Sequence, residues 1–215
     1  MIGLAATCLS AFGQSNFEVQ PFIGYMYGGS IPVSSTGLPP SGINKISMNS
    51  SVSYGITAGM NFGEHLGLEF LWNHQPTKAV GKLNGGGEFA NKVDVSNNQY
   101  HGNFLFYFTP HDSKLRPYAL VGFGATNSSG SGSGVTGDHS SSTTKFSYGL
   151  GGGIKYYFTE NFGIRAQARY APSYLYSTND GLWCNWYGYC WVITDSHYLN
   201  QGDITVGFTW RFGSR

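Results

Sequence analysis

Charge is scarce in this chain of 215 residues: only 11% are Asp, Glu, Lys or Arg, under half the roughly 25% of an ordinary soluble domain. A surface wetted all round by ionic side chains is excluded. The balance is also even, 12 basic against 11 acidic residues for a net charge of +1, and no basic stripe occurs, so the electrostatic footprint of a nucleic-acid binder is missing. No run approaches the ~18 consecutive apolar residues of a membrane-spanning helix, which excludes a helical membrane protein. Cysteine is limited to Cys8, Cys184 and Cys190. The six histidines are scattered without metal-ligand spacing, and GLGGG sits inside a strand pattern rather than between a strand and a helix, so it is no phosphate loop. No metal, cofactor or nucleic-acid partner is expected.

What the chain does have is aromatic residues, 16% of the total, and 32 glycines. Disordered chains are charged and poor in aromatics, so this one is ordered. The clearest pattern is SVSYGITAGMNF at 51–62, where Val52, Tyr54, Ile56, Ala58, Met60 and Phe62 alternate with small or polar residues. Period-2 alternation is the mark of a strand with two unlike faces. It recurs at 144–158, with Phe146, Tyr148, Leu150, Ile154, Tyr156 and Phe158 on one face, and at 201–212, with Ile204, Val206, Phe208, Trp210 and Phe212. Weaker copies at 17–28, 65–75, 98–108, 116–126 and 162–170 bring the predicted number of strands to eight. Pro21 and Pro117 each remove a ladder donor and are expected near strand ends or bulges.

The connections predicted between these strands alternate in length. Gly63 and Glu64, the segment TPHDSKL and the segment Thr159 to Asn161 are short; 29–50, 76–97, 127–143 and 171–200 are long and rich in Gly, Ser, Asn and Pro. Short turns at one end, long loops at the other and an even strand count describe an outer-membrane barrel. Lipid offers no hydrogen bonds, so the sheet must close on itself. The expected fold is all-β, a closed eight-stranded antiparallel transmembrane β-barrel with up-and-down topology, apolar outside and polar inside. Tyr27, Phe62, Trp72, Phe108, Phe158, Phe162, Trp210 and Phe212 would form its interfacial girdles. A soluble lipocalin-like barrel would place the two faces the other way.

Residues 1–13 form a short apolar run ending in Ala11, Phe12 and Gly13, which reads as the back half of a signal peptide cleaved after Gly13. Residues 14–215 are then the barrel domain. Thr7 argues against a lipid anchor on Cys8. Two cysteines remaining in an exported chain, Cys184 and Cys190, suggest one disulfide.

The segments RPYALVGFGA at 116–125, YGLGGGIKYYFTENFGIRAQARY at 148–170 and VGFTWRF at 206–212 resemble the small eight-stranded outer-membrane β-barrels of the OmpA/OmpX-like superfamily over essentially the whole mature chain. That resemblance implies a bacterial outer-membrane location, contact with outer-membrane lipid and lipopolysaccharide, and a role in assembly for the final aromatic residue. Phe212 matches it, although Gly213, Ser214 and Arg215 follow.

The inward-facing charges suggest the first functional expectation. Glu18 begins the first strand and Arg211 ends the last, so closure should bring them together. Glu69, Lys155 and Arg165 lie at a similar height, with Arg169, Asp203 and Lys145 above. An eight-stranded barrel is just wide enough to be filled by its own side chains, so Glu18, Glu69, Lys155, Arg165, Arg169, Asp203 and Arg211 are expected to form an ion-paired plug. The last loop, GLWCNWYGYCWV, sets Trp183, Trp186, Tyr187, Tyr189 and Trp191 around the two cysteines. Exposed aromatic clusters mark contact sites for a protein or glycan partner; cross-strand pairing of the same residues would instead extend the ribbon of the last two strands. No catalytic residue is assigned. His74, and His139 and His197 beside Asp138 with Ser140 and Asp195 with Ser196, lack the spacing of a hydrolytic triad, since neighbours in sequence seldom point at one another. The expected protein is a monomeric, non-enzymatic barrel with an envelope-structural or adhesin-like surface role. The alternative is a narrow channel for small or hydrophobic solutes, with a lipid A-modifying enzyme third.

Overall fold

A computed structural model describes residues 16–32, 43–83, 93–134, 137–174, 183–184, 190–191 and 198–212; at 31–32, 43–46, 81–83, 93, 131–134, 137–141, 183–184 and 190–191 it describes the backbone alone. Eight long strands build it: β1 Asn16–Tyr27, β2 Ser51–Phe62, β3 Leu66–Leu83, β4 Val93–Tyr107, β5 Leu115–Gly134, β6 Gly137–Tyr157, β7 Phe162–Tyr170 and β8 Gly202–Phe212. Each pairs antiparallel with the next, and β8 returns to β1 with Phe17 opposite Phe212 and Tyr27 opposite Gly202. The sheet is a closed eight-stranded antiparallel barrel, and no helix occurs among the described residues.

The barrel is inside out relative to a soluble protein. Phe104 is 58% exposed while Asn103 beside it is 0% exposed, and the same alternation runs through β7, where Gly163, Arg165, Gln167 and Arg169 are buried and Ile164, Ala166, Ala168 and Tyr170 are exposed. Such a surface is stable against hydrocarbon and unstable against water. Outward aromatics stack where the girdles were expected: Phe162 lies 5.7 Å from Trp210 and 6.3 Å from Phe158 in ring centroids, and Phe17 lies 6.3 Å from Phe212. Glycine on the inner face makes room for large side chains. A Cβ at Gly153 would stand 2.6 Å from the Tyr118 hydroxyl, and one at Gly149 would stand 3.4 Å from both Arg169 Cδ and His101 Nδ1.

The structure departs from expectation in the long connections. Residues 127–143 were expected as a loop, but Asn127 to Gly134 continues β5 and pairs in unbroken register with Gly137 to Thr144 of β6. Glycine and serine carry no side chain that forbids an extended ribbon, and the polar side chains tie it across: Asn127 Nδ2 donates to Ser142 Oγ at 3.0 Å and to Thr144 Oγ1 at 2.8 Å. Similarly β3 runs on to Leu83 and β4 starts at Val93, and a short strand, Ile43–Met48, pairs with β3 at Ala79 to Leu83. The end opposite the short turns is therefore a raised ribbon rather than loops alone. Pro117 is third in β5, close to its start as expected. Pro21 lies in mid-strand opposite Ile56, and its missing donor falls where the β1–β8 ladder skips from Val19 to Phe22.

Candidate functional site

Three polar layers fill the lumen. In the layer at the short-turn end, register sets Arg116, Lys155 and Arg165 side by side on β5, β6 and β7. Like charges directly opposite one another are unfavourable in a sheet, so carboxylates must reach in from other strands. Glu18 does so from β1. Its Oε2 accepts from Lys155 Nζ at 2.5 Å and Gln20 Nε2 at 2.9 Å, and its Oε1 accepts from Asn61 Nδ2 at 2.7 Å, Tyr157 Oη at 2.8 Å and Arg211 Nε at 3.2 Å. A carboxylate has about four lone-pair sites, so this one is saturated. Lys155 also donates to Tyr107 Oη at 2.8 Å, and the Arg116 guanidinium stacks on the Tyr107 ring at 3.8 Å.

The second layer turns on Arg165, which engages Glu69 with both Nη atoms, together with Gln20, Gln167 and the Tyr118 hydroxyl. Asn103 donates to Glu69 Oε1 at 3.1 Å. Between these two layers lies a cavity of about 10 Å³, lined by Glu18, Asn61, Glu69 and Lys155 among others, no more than the ~10–15 Å³ needed for a single water. In the third layer Arg169 Nη2 donates to Asp203 Oδ2 at 2.6 Å and to Gln99 at 2.6 Å. All seven residues expected in the plug therefore face the lumen and pair with one another: Glu18 with Lys155 and Arg211, Glu69 with Arg165, Arg169 with Asp203.

One arrangement in the third layer invites a catalytic reading. His101 Nε2 lies 2.7 Å from Ser147 Oγ, and its Nδ1 lies 3.3 Å from Arg169 Nη1. Arginine only donates, so Nδ1 accepts and the ring hydrogen resides on Nε2, which then donates to Ser147. A general base would need a lone pair there. This histidine cannot take the serine proton in the arrangement observed, and both residues are fully buried. His74 stands within β3, which continues past it to Leu83. It lies on the outer face between the Tyr54 and Trp72 rings, its Nδ1 2.9 Å from Asn98 Oδ1. His197, Asp195 and Ser196, and the side chains of His139, Asp138 and Ser140, lie outside the described residues, as do residues 1–13.

Sequence reading missed Arg116, His101 and the three lumen tyrosines Tyr107, Tyr118 and Tyr157. Their signal was parity: each stands one residue from an outward aromatic or apolar position. In the last loop, Trp183–Cys184 and Cys190–Trp191 form a two-stranded ribbon with Cys184 opposite Cys190; their side chains and Trp186, Tyr187 and Tyr189 lie outside the described residues. A further open groove of about 650 Å³ lies on the raised ribbon, lined by Ser51, His74, Pro76, Lys78 and Asp94 among others.

The model of the outer membrane protein beta-barrel domain matches residues 4–212. The chain belongs to that family. Its place is the bacterial outer membrane. Among solved structures, Neisserial surface protein A (NspA) is 18% identical with a TM-score of 0.57, covering 91% of this chain and 97% of its own. AlkL, solved in lipid bilayers, is 14% identical at 0.49, covering 94% and 92%. Ail of Yersinia pestis, solved with a heparin analogue, is 16% identical at 0.46, covering 91% and 99%. The similarity to NspA is one of fold. No curated protein sequence matches the chain.

Proposed function

We propose that this family member is a non-enzymatic barrel that is closed to solutes and serves the envelope as a structural or surface-interaction protein through its extracellular end. The observation carrying the reading is the lumen: three buried ion pairs, a fourth at the rim, tyrosine hydroxyls and amides occupy it at successive heights, with a cavity of about 10 Å³ between the lower two layers. A barrel that transports would need a continuous path through those layers. The reading puts contact on the raised ribbon and on the aromatic segment 183–191. The register of Cys184 with Cys190 supports a disulfide stapling that segment into a hairpin tip, with Trp183, Trp186, Tyr187, Tyr189 and Trp191 as the contact patch for a protein or glycan. The barrel is proposed to work as a monomer in contact with lipopolysaccharide.

The test is replacement of the five aromatics by serine in cells displaying the protein, with binding to glycan arrays and immobilised matrix proteins as the readout. Loss of binding with an unchanged heat-modifiable folded band supports the patch; binding equal to wild type removes it.

A further inference from the structure

The buried charges of the lumen do not balance, and the excess is at one end. Among the described residues, Arg116, Lys155, Arg165 and Arg169 are buried with Arg211 at the rim, against Glu18, Glu69 and Asp203. Arg169 and Asp203 neutralise one another in the third layer. The two layers at the short-turn end therefore hold four cations against two carboxylates. Glu69 is occupied by Arg165, and Glu18 is shared between Lys155 and Arg211. Arg116 has no carboxylate. It is 0% exposed; its Nη2 donates to the Glu64 carbonyl at 3.0 Å, and its Nε and Nη1 have no partner. Arg211 Nη2 is likewise unpartnered. Glu64 and Asp112 of the adjoining turns are exposed and lie 3.8 and 3.7 Å from His65 and His111.

A buried guanidinium without an anion is costly, and stacking on Tyr107 and one carbonyl do not neutralise it. The cheapest compensation is a ligand with several acceptor oxygens and negative charge, the geometry that a guanidinium fork suits best. We propose that the periplasmic mouth of the barrel binds a small oxyanion of the phosphate class on Arg116, with Arg211 as second donor. His111 of the 108–114 turn feels both guanidiniums, and the contact between Asn16 Nδ2 and His111 Nε2 at 2.9 Å ties that turn to β1. Loaded, the site would remove the like-charge opposition of Arg116 and Lys155 and make the oxyanion a stabilising partner of the folded barrel.

The experiment is an NMR titration of the arginine Nε–H signals of the full chain folded in maltoside micelles, which contain no phosphate. Inorganic phosphate is added against chloride at equal ionic strength. Saturable shifts of the Arg116 and Arg211 signals, with Arg169 unmoved, are expected. No saturable shift, or the same shift with chloride, overturns the site. Acetate producing an equal saturable shift at equal concentration overturns the phosphate class. Arg116→Met should weaken phosphate binding by at least about tenfold; binding as tight as wild type overturns the assignment, and Arg116→Lys serves should that variant not fold. A parallel sample in phosphatidylglycerol nanodiscs distinguishes sources: signals already at the shifted position identify a lipid headgroup, and signals that move only on adding phosphate identify the free ion.

Discussion

Glu18 on the first strand and Arg211 on the last stand opposite one another in register across the seam that closes the barrel, with Arg211 Nε 3.2 Å from Glu18 Oε1. The pair joins the two ends of the barrel sequence, 193 residues apart, and Lys155 Nζ, 2.5 Å from Glu18 Oε2, links the seam to the opposite wall.

Glu18→Gln keeps the shape of the side chain and removes the charge that Lys155 and Arg211 share. Breaking a buried pair from one side costs about 3–5 kcal/mol, because the partner charge stays behind. The urea midpoint of the folded barrel in detergent should fall accordingly. Arg211→Ala should cost less, since Lys155 still neutralises Glu18; an equal or larger loss would contradict this assignment of roles.

Gly153 faces the lumen beside Tyr118. A Cβ there would lie 2.6 Å from the hydroxyl and 2.8 Å from Cζ, and against the Ala166 backbone carbonyl. Gly153→Ala should lower stability by about 1–3 kcal/mol through overpacking, and Gly153→Ala with Tyr118→Phe should recover only part of it, because the carbonyl contact remains. Urea titration of both variants checks this.

His111 lies in the 108–114 turn. Burial, followed by the Arg211 and Arg116 guanidiniums, holds its imidazole below the ordinary 6.5, with Asp112 and Glu18 acting in the opposite sense. The Asn16 amide also donates to its neutral Nε2. As pH falls through the unfolded-state value, the unfolded chain takes up a proton that the folded barrel resists, so stability is lost toward low pH. The wild-type urea midpoint should drop between about pH 7.5 and about pH 5.5, and His111→Gln should show a smaller drop. An identical drop would contradict the role of the turn.

Ser147 Oγ lies 2.7 Å from His101 Nε2, the nitrogen that carries the ring hydrogen while Arg169 donates to Nδ1. Lipid A from cells expressing wild type, Ser147→Ala or no barrel should show the same acyl composition by mass spectrometry. A change that appears with wild type and disappears with Ser147→Ala would establish an enzyme.

The barrel was legible because lipid exposure imposes strict alternation, and SVSYGITAGMNF at 51–62 carries it without a break. The inward placement of the seven charged residues followed from parity and strand order alone. The raised ribbon at 127–143 did not, since serine and glycine carry no alternation and satisfy loop and ribbon equally. Arg116 was missed because it stands next to Pro117 at the entrance of a weakly patterned strand. His101 and Tyr107 were missed for a different reason: one histidine or tyrosine on the polar side of a strand has no sequence signature, and only closure reveals that His101 meets Ser147 or that Tyr107 meets Lys155.

The measurement closest to the central claim is planar-bilayer conductance of the refolded protein beside Glu18→Ala with Arg211→Ala. A silent wild type is the predicted result, and the double variant should stay silent too, because the Arg165–Glu69 and Arg169–Asp203 layers still occupy the lumen. Stable conductance by the wild type would contradict the closed lumen and establish a channel.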